Sequence, residues 1–99
     1  MAVKIINGLD VELKVKDGLH IVNVFGTWCG PCKMFAPILE DISKEEKVYK
    51  IDIDKNHDFA KKMQIKGVPT TLIFKDGSLK DTIVGFVPKD VLLERVNKI

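Results

Sequence analysis

The strongest constraint in this chain is the run His20-Ile21-Val22-Asn23-Val24-Phe25-Gly26, which leads almost directly into Trp28-Cys29-Gly30-Pro31-Cys32. The run is β-branched and nearly continuously apolar. A strand with one wet face alternates polar and apolar residues; this one reads as buried on both faces, inside a sheet covered by helices. Pro31 then stands where a helix begins, since a first-turn residue has no backbone N–H bond to lose. Met34, Phe35, Ile38, Leu39 and Ile42 follow at helical spacing and form one apolar stripe. A buried strand feeding a helix is the first part of a β-α-β unit, and such units build parallel sheets.

The rest of the chain extends that pattern. Val3–Ile6 reads as a short strand, and Leu9–Lys16 as a short helix although Val11, Leu13 and Val15 alternate. Pro37 falls inside the stripe helix, removes a backbone donor and is expected to kink it. Val48–Ile53 alternates as a strand. Asn56 is expected to cap a helix through Met63, with Phe59, Ala60 and Met63 inward. Thr70–Phe74 and Leu79–Val84 read as strands, joined through Lys75-Asp76-Gly77-Ser78, whose Asp-Gly centre marks a hairpin. Pro88 opens a last helix with Leu92, Val96 and Ile99 toward the core. The expected fold is α/β: a central mixed five-stranded sheet flanked by four helices in three layers. At 99 residues the whole chain, 1–99, is expected to be one domain.

Composition narrows the function. Sixteen Lys and Arg against fourteen Asp and Glu give a net charge of +2, which excludes a strongly basic footprint for nucleic acid. Two cysteines are too few for a disulfide scaffold. Two cysteines and two histidines are also a poor supply of metal ligands, and no metal is expected. No signal peptide is visible, and no apolar run approaches the ~20 residues needed to span a bilayer. A monomer in the cytoplasm is expected, with no membrane or nucleic-acid partner. Thiols are kept reduced there, so a cysteine pair is more readily catalytic or metal-binding than structural.

A bare Cys-x-x-Cys serves zinc ribbons, ferredoxins and redox enzymes alike, so its surroundings must decide. With a helix starting near Pro31, Cys29 lies at its N-terminus and Cys32 one turn along on the same face. Two sulfurs so placed can close a disulfide with little backbone movement. Unpaired N–H groups and the positive helix end favour the Cys29 thiolate. Cys32, deeper in the turn, is expected to stay protonated and less exposed. That asymmetry makes Cys29 the nucleophile and Cys32 the resolving thiol. Lys33 adds positive potential, although a solvated helix residue is its simpler reading. A purely structural pair and a zinc site are the competing readings: zinc needs four ligands, and His20 and His57 read as surface residues, one beginning a strand and the other a distant helix. Met34, Phe35 and Met63 read as core, Lys61 and Lys62 as a solvated helix face, and Asp52 and Asp54 as outward or strand-edge charges. Lys75-Asp76-Gly77 reads as a turn with no further role.

Phe25-Gly26-Thr27-Trp28-Cys29-Gly30-Pro31-Cys32-Lys33, with Pro37 inside the helix, resembles the thioredoxin family. So do Gly67-Val68-Pro69-Thr70 and Gly85, and the similarity runs in order over nearly the whole chain. The resemblance implies a thioredoxin fold and reduction of protein disulfides, with no bound cofactor. It also implies a flavin-containing thioredoxin reductase as electron donor. It makes Gly30 and Pro31 the centre of the active-site motif and Trp28 the residue covering the disulfide. Pro69 becomes a cis-proline packed against the cysteines, with no N–H to compete for a sulfur. Val68 then has backbone free to pair with an extended substrate. Gly85 leaves that approach open, and Phe86 supplies an apolar rim. An oxidase or isomerase, or a binding subunit without redox activity, are the alternatives. One departure bears on mechanism: Asn23 stands where the family carries a buried aspartate, with Lys50 matching the lysine beside it. An amide cannot take a proton from Cys32, so deprotonation is expected to be slower, or to pass through water.

Overall fold

The computed structural model describes residues 2–99. Five strands form one sheet: β1 (Lys4–Ile5), β2 (Leu19–Phe25), β3 (Lys47–Asp52), β4 (Thr70–Lys75) and β5 (Ser78–Val84). Their order is β1-β3-β2-β4-β5. β3 runs parallel to both β1 and β2, while β4 runs antiparallel to β2 and to β5. The helices are α1 (Val11–Lys14), α2 (Gly30–Ile42), α3 (His57–Lys62) and α4 (Lys89–Asn97). This is the expected mixed sheet with four helices, and β2 is its middle strand.

The position of β2 explains its composition. Ile21 packs with Phe35, Leu39, Ile42, Leu92 and Val96, under α2 and α4. Val22 and Val24 point the other way, into a second cluster with Val11, Val15, Phe59 and Phe74 under α1 and α3. Successive side chains of a strand face opposite sides, so a strand with helices on both must be apolar throughout.

Several expectations are corrected in detail. The first strand shrinks to two residues, and the Leu9–Lys16 segment is a 3-10 turn, Gly8–Asp10, followed by four helical residues. Val11 and Val15 are buried one helical turn apart, while Leu9 and Leu13 face solvent. Asn56 precedes α3, yet its side chain does not cap it. Its Oδ1 accepts from the Gly8 N–H at 2.8 Å and its Nδ2 donates to the Asp52 carbonyl at 2.8 Å, tying distant loops together. The Lys75–Gly77 turn also does more than reverse the chain. Asp76 Oδ1 accepts from Gly18 N and Gly77 N donates to Val15 O, which fastens the hairpin to the end of α1.

His20 is buried, at 3% exposure, where the sequence suggested surface. It stacks on Tyr49 with ring centroids 5.8 Å apart, and Nε2 lies 2.7 Å from the Asp17 carbonyl oxygen. A carbonyl only accepts, so Nε2 carries the proton. The sequence could not show that a tyrosine on β3 and a loop carbonyl would enclose it.

At the far edge, Arg95 of α4 grips Asp81 of β5 through two bonds, Nε to Oδ2 at 2.6 Å and Nη2 to Oδ1 at 2.7 Å. The Arg95 guanidinium holds the Asp81 carboxyl below its ordinary range. A depressed acid stabilises the fold above its unfolded pKa, and that contribution fades as pH falls through the folded value. Asp81→Asn should therefore lower the urea midpoint at neutral pH. Wild type and variant should converge in acid below the ordinary aspartate range.

Candidate active site

The motif segment leaves β2 and enters α2 through Cys29, whose extended backbone (φ −90°, ψ 112°) occupies the N-cap position. Its Sγ accepts a hydrogen bond from the Cys32 N–H at 3.1 Å, one of the donors that every helix start leaves without a partner. Pro31 sits in the first turn, where its missing N–H costs nothing. Cys29 and Cys32 form a disulfide across Cα atoms 5.2 Å apart, within the ordinary span for such a bridge. Both residues are buried, at 4% and 5% exposure, so exposure does not separate them as expected. Their place along the helix does: Cys29 caps it, and Cys32 lies inside it.

α2 continues past Pro37 to Ile42 and turns Cys32, Phe35, Leu39 and Ile42 toward the sheet. Met34 belongs to the apolar stripe only in sequence. One residue is about 100° of helix, and that rotation away from Phe35 leaves Met34 64% exposed. Lys33 is exposed on the same turn, as are Gly30 and Pro31.

Trp28 is 65% exposed, and its indole Nε1 donates to Asp54 Oδ2 at 2.7 Å. Asp54 is held in turn, its N–H donating to Asp52 Oδ1 at 3.0 Å. Asp52 is buried rather than outward, because it caps the 3-10 turn Ile53–Lys55 that follows β3. Asp54 is a site residue that the sequence reading missed. The signal available was a lone tryptophan whose N–H needs an acceptor, with Asp-x-Asp directly after a strand.

Thr70 pairs with Val24, so Pro69 stands at the sheet end from which the cysteine segment departs. The Val68–Pro69 bond is cis and Pro69 is buried. Its carbonyl accepts from Gly85 N at 2.8 Å, joining the two loops named for substrate contact. Gly85 has φ +90°, a region open to glycine and strained for other residues. A Cβ on it would meet nothing within 4 Å. Gly85→Ala should therefore cost about 1–2 kcal/mol through the backbone alone, measurable by urea unfolding. Phe86 meets Phe35 edge-on at 5.4 Å and keeps part of its ring in solvent.

Beneath α2, Asn23 is 1% exposed and donates from Nδ2 to Thr71 Oγ1 at 3.1 Å across the sheet. Lys50 is its register partner on β3. The Lys50 amine lies over the Phe25 ring, 4.5 Å from the centroid. Partial burial pulls the Lys50 pKa down, against an upward pull from Glu40. Among the described residues no group of three or more His, Cys, Asp or Glu is placed to hold a metal, and no helix is long and apolar enough to cross a membrane.

A disulfide between two cysteines three residues apart, the first of them capping a helix at the end of the central strand, defines a thiol–disulfide exchange protein. The comparisons with known proteins agree. The family model for thioredoxin matches residues 3–98. Thioredoxin from Staphylococcus aureus is 39% identical over 102 aligned positions, which cover 99% of this chain and 98% of that one. Among solved structures, a mutant thioredoxin from Halobacterium salinarum NRC-1 superposes with a TM-score of 0.88 at 29% identity, covering 97% of this chain and 88% of its own. The thioredoxin of Malassezia sympodialis superposes at 0.81 with 34% identity, covering 97% and 89%. The chain belongs to the thioredoxin family, and its activity is that of a thiol–disulfide oxidoreductase, a protein-disulfide reductase.

Proposed function

We propose that Cys29 is the nucleophile and Cys32 the resolving thiol of this reductase. The supporting observation is the Cys29 sulfur at the N-cap of α2, accepting the Cys32 N–H at 3.1 Å. In the reduced chain the same N–H and the helix end stabilise negative charge on that sulfur. The Cys29 thiolate attacks one sulfur of a substrate disulfide, forms a mixed disulfide and releases the first substrate thiolate. Cys32 then loses its proton and attacks the Cys29 sulfur, forming the Cys29–Cys32 bond and releasing the second substrate thiolate. Two electrons pass to the substrate.

The next cycle needs two electrons from a separate donor, a flavin-containing thioredoxin reductase. The chain acts in the cytoplasm as a single-domain monomer, serving electron transport and redox homeostasis. Trp28, Val68, Pro69, Gly85 and Phe86 receive an extended segment of substrate, whose backbone pairs with that of Val68. Asn23 and Lys50 set the environment of the resolving step, and Lys33 adds positive potential at the rim.

Replacing both Cys29 and Cys32 with serine should abolish protein-disulfide reduction. A biological role that survives this replacement would instead support a binding subunit.

A further inference from the structure

The chain contains three Asx-Gly steps, Asn7-Gly8, Asp17-Gly18 and Asp76-Gly77. Such steps are chemically weak, because a glycine nitrogen has no neighbouring side chain to shield it. It can attack the side-chain carbonyl of the residue before it and close a five-membered succinimide. In this fold each of the three glycine N–H groups is held by an acceptor far along the chain. Gly8 N donates to Asn56 Oδ1 at 2.8 Å, Gly18 N to Asp76 Oδ1 at 2.7 Å and Gly77 N to Val15 O at 2.9 Å. We propose that Asn7 is a latent deamidation site of this chain, and that the Asn56 side chain is the lock that keeps it closed.

Asn7 is the most reactive of the three because its amide releases neutral ammonia, whereas an ionised aspartate repels the nucleophile. It is exposed, and its side chain does not cap the 3-10 turn that it precedes. The other asparagines precede Val24, His57 and Lys98, whose side chains crowd the nitrogen. In the reaction hydroxide takes the Gly8 N–H proton and the nitrogen attacks Asn7 Cγ. A C–N bond forms there, the amide C–N bond breaks and ammonia leaves. Water then opens the ring, giving aspartate if it cuts the bond to Cγ and isoaspartate if it cuts the bond to the main-chain carbonyl carbon.

The folded loop opposes each part of this. Ring closure needs Asn7 Cβ and the Gly8 nitrogen eclipsed about the Cα–C bond, and ψ 148° holds them far from that. Rotating toward closure pulls Gly8 N–H off Asn56 and breaks the 3.0 Å bond from Asp10 N to Asn7 O. The rate therefore follows the small population in which this loop has opened. Gly8 also lies directly on Phe59, where a Cβ on it would collide with the ring and its Cβ. Isoaspartate adds a methylene to the main chain at this point, so Gly8 can no longer meet Asn56 and Phe59 together.

The test incubates the folded chain in mildly alkaline buffer and follows Asn7 and Asn97 by peptide mapping. Isoaspartyl methyltransferase with S-adenosylmethionine counts the isoaspartate. Asn7 should convert about thirtyfold or more slowly in the folded chain than in urea, since two hydrogen bonds must open first. In urea it should convert well ahead of Asn97. Asn56→Ala should speed Asn7 about fivefold or more in the folded state and leave Asn97 unchanged. Hydrogen exchange of the Gly8 amide in the parent should be slowed by a similar factor to Asn7, a comparison that needs no variant to fold.

Asn7 converting as fast in the folded parent as in urea overturns the proposal, and so does an Asn7 no faster than Asn97 in urea. A folded Asn56→Ala chain with the parent's rate, or a Gly8 amide that exchanges freely in the parent, overturns it equally.

Discussion

With Cys32 replaced by serine, the chain should stop halfway, covalently joined to its substrate through Cys29. Nothing else in the site can attack the mixed disulfide from within. Cys32 is held one helical turn from Cys29, with Cα atoms 5.2 Å apart. Cys29→Ser removes the first step as well, so no adduct should form and the exchange rate should fall by ~10³-fold or more, as loss of a nucleophile does elsewhere. Non-reducing electrophoresis and mass measurement after mixing with an oxidised protein substrate distinguish the two variants. An adduct held by Cys32 in Cys29→Ser would reverse the assigned roles.

Asn23→Asp should produce the second large effect, on stability and rate together. The position is closed to solvent, and its present partner is the neutral Thr71 hydroxyl at 3.1 Å. Burial raises a carboxyl pKa by disfavouring the charged form, with Lys50 on the neighbouring strand partly opposing that. An acid whose folded pKa is raised costs nothing below its unfolded value, and stability is lost as pH rises through the folded value. Asn23→Asp should match the parent near pH 4 and lie about 2–4 kcal/mol below it in mild alkali, for a shift of two to three units.

The same carboxylate can take the Cys32 proton, which the amide cannot. Resolution of the mixed disulfide should speed up by about tenfold or more once the carboxyl ionises. Urea unfolding across pH and stopped-flow resolution kinetics test both effects. If stability, rate and pH profile all stayed as they were, Asn23 would have no part in the resolving step.

Much of this site was legible because local chemistry and fold agree. The β-branched, nearly continuous apolar run of β2 reads as a strand covered on both faces, and Pro31 with the Phe35–Leu39–Ile42 stripe reads as the helix that follows it. The Asp-Gly centre of the β4–β5 turn marked the hairpin. What escaped was burial decided by partners far away in sequence. His20 is enclosed by Tyr49 and the Asp17 carbonyl, and Asp52 by the turn it caps. The Asn56 side chain serves Gly8, 48 residues distant, instead of the helix it precedes. Met34 shows a different limit. Spacing locates an apolar stripe but not its edge, and one residue's rotation put Met34 outside.

One titration of electrons tests the exchange chemistry most directly. The fully reduced chain, mixed in equimolar amount with a protein disulfide at neutral pH, should reduce one substrate disulfide per chain and acquire the Cys29–Cys32 bond in return. Thiolate absorbance followed against pH on the same sample should show one cysteine ionising below the ordinary thiol range, and Cys29→Ser should remove that transition. A reduced chain that leaves the substrate disulfide intact at neutral pH, with both thiols ionising as ordinary cysteines, would contradict the assignment.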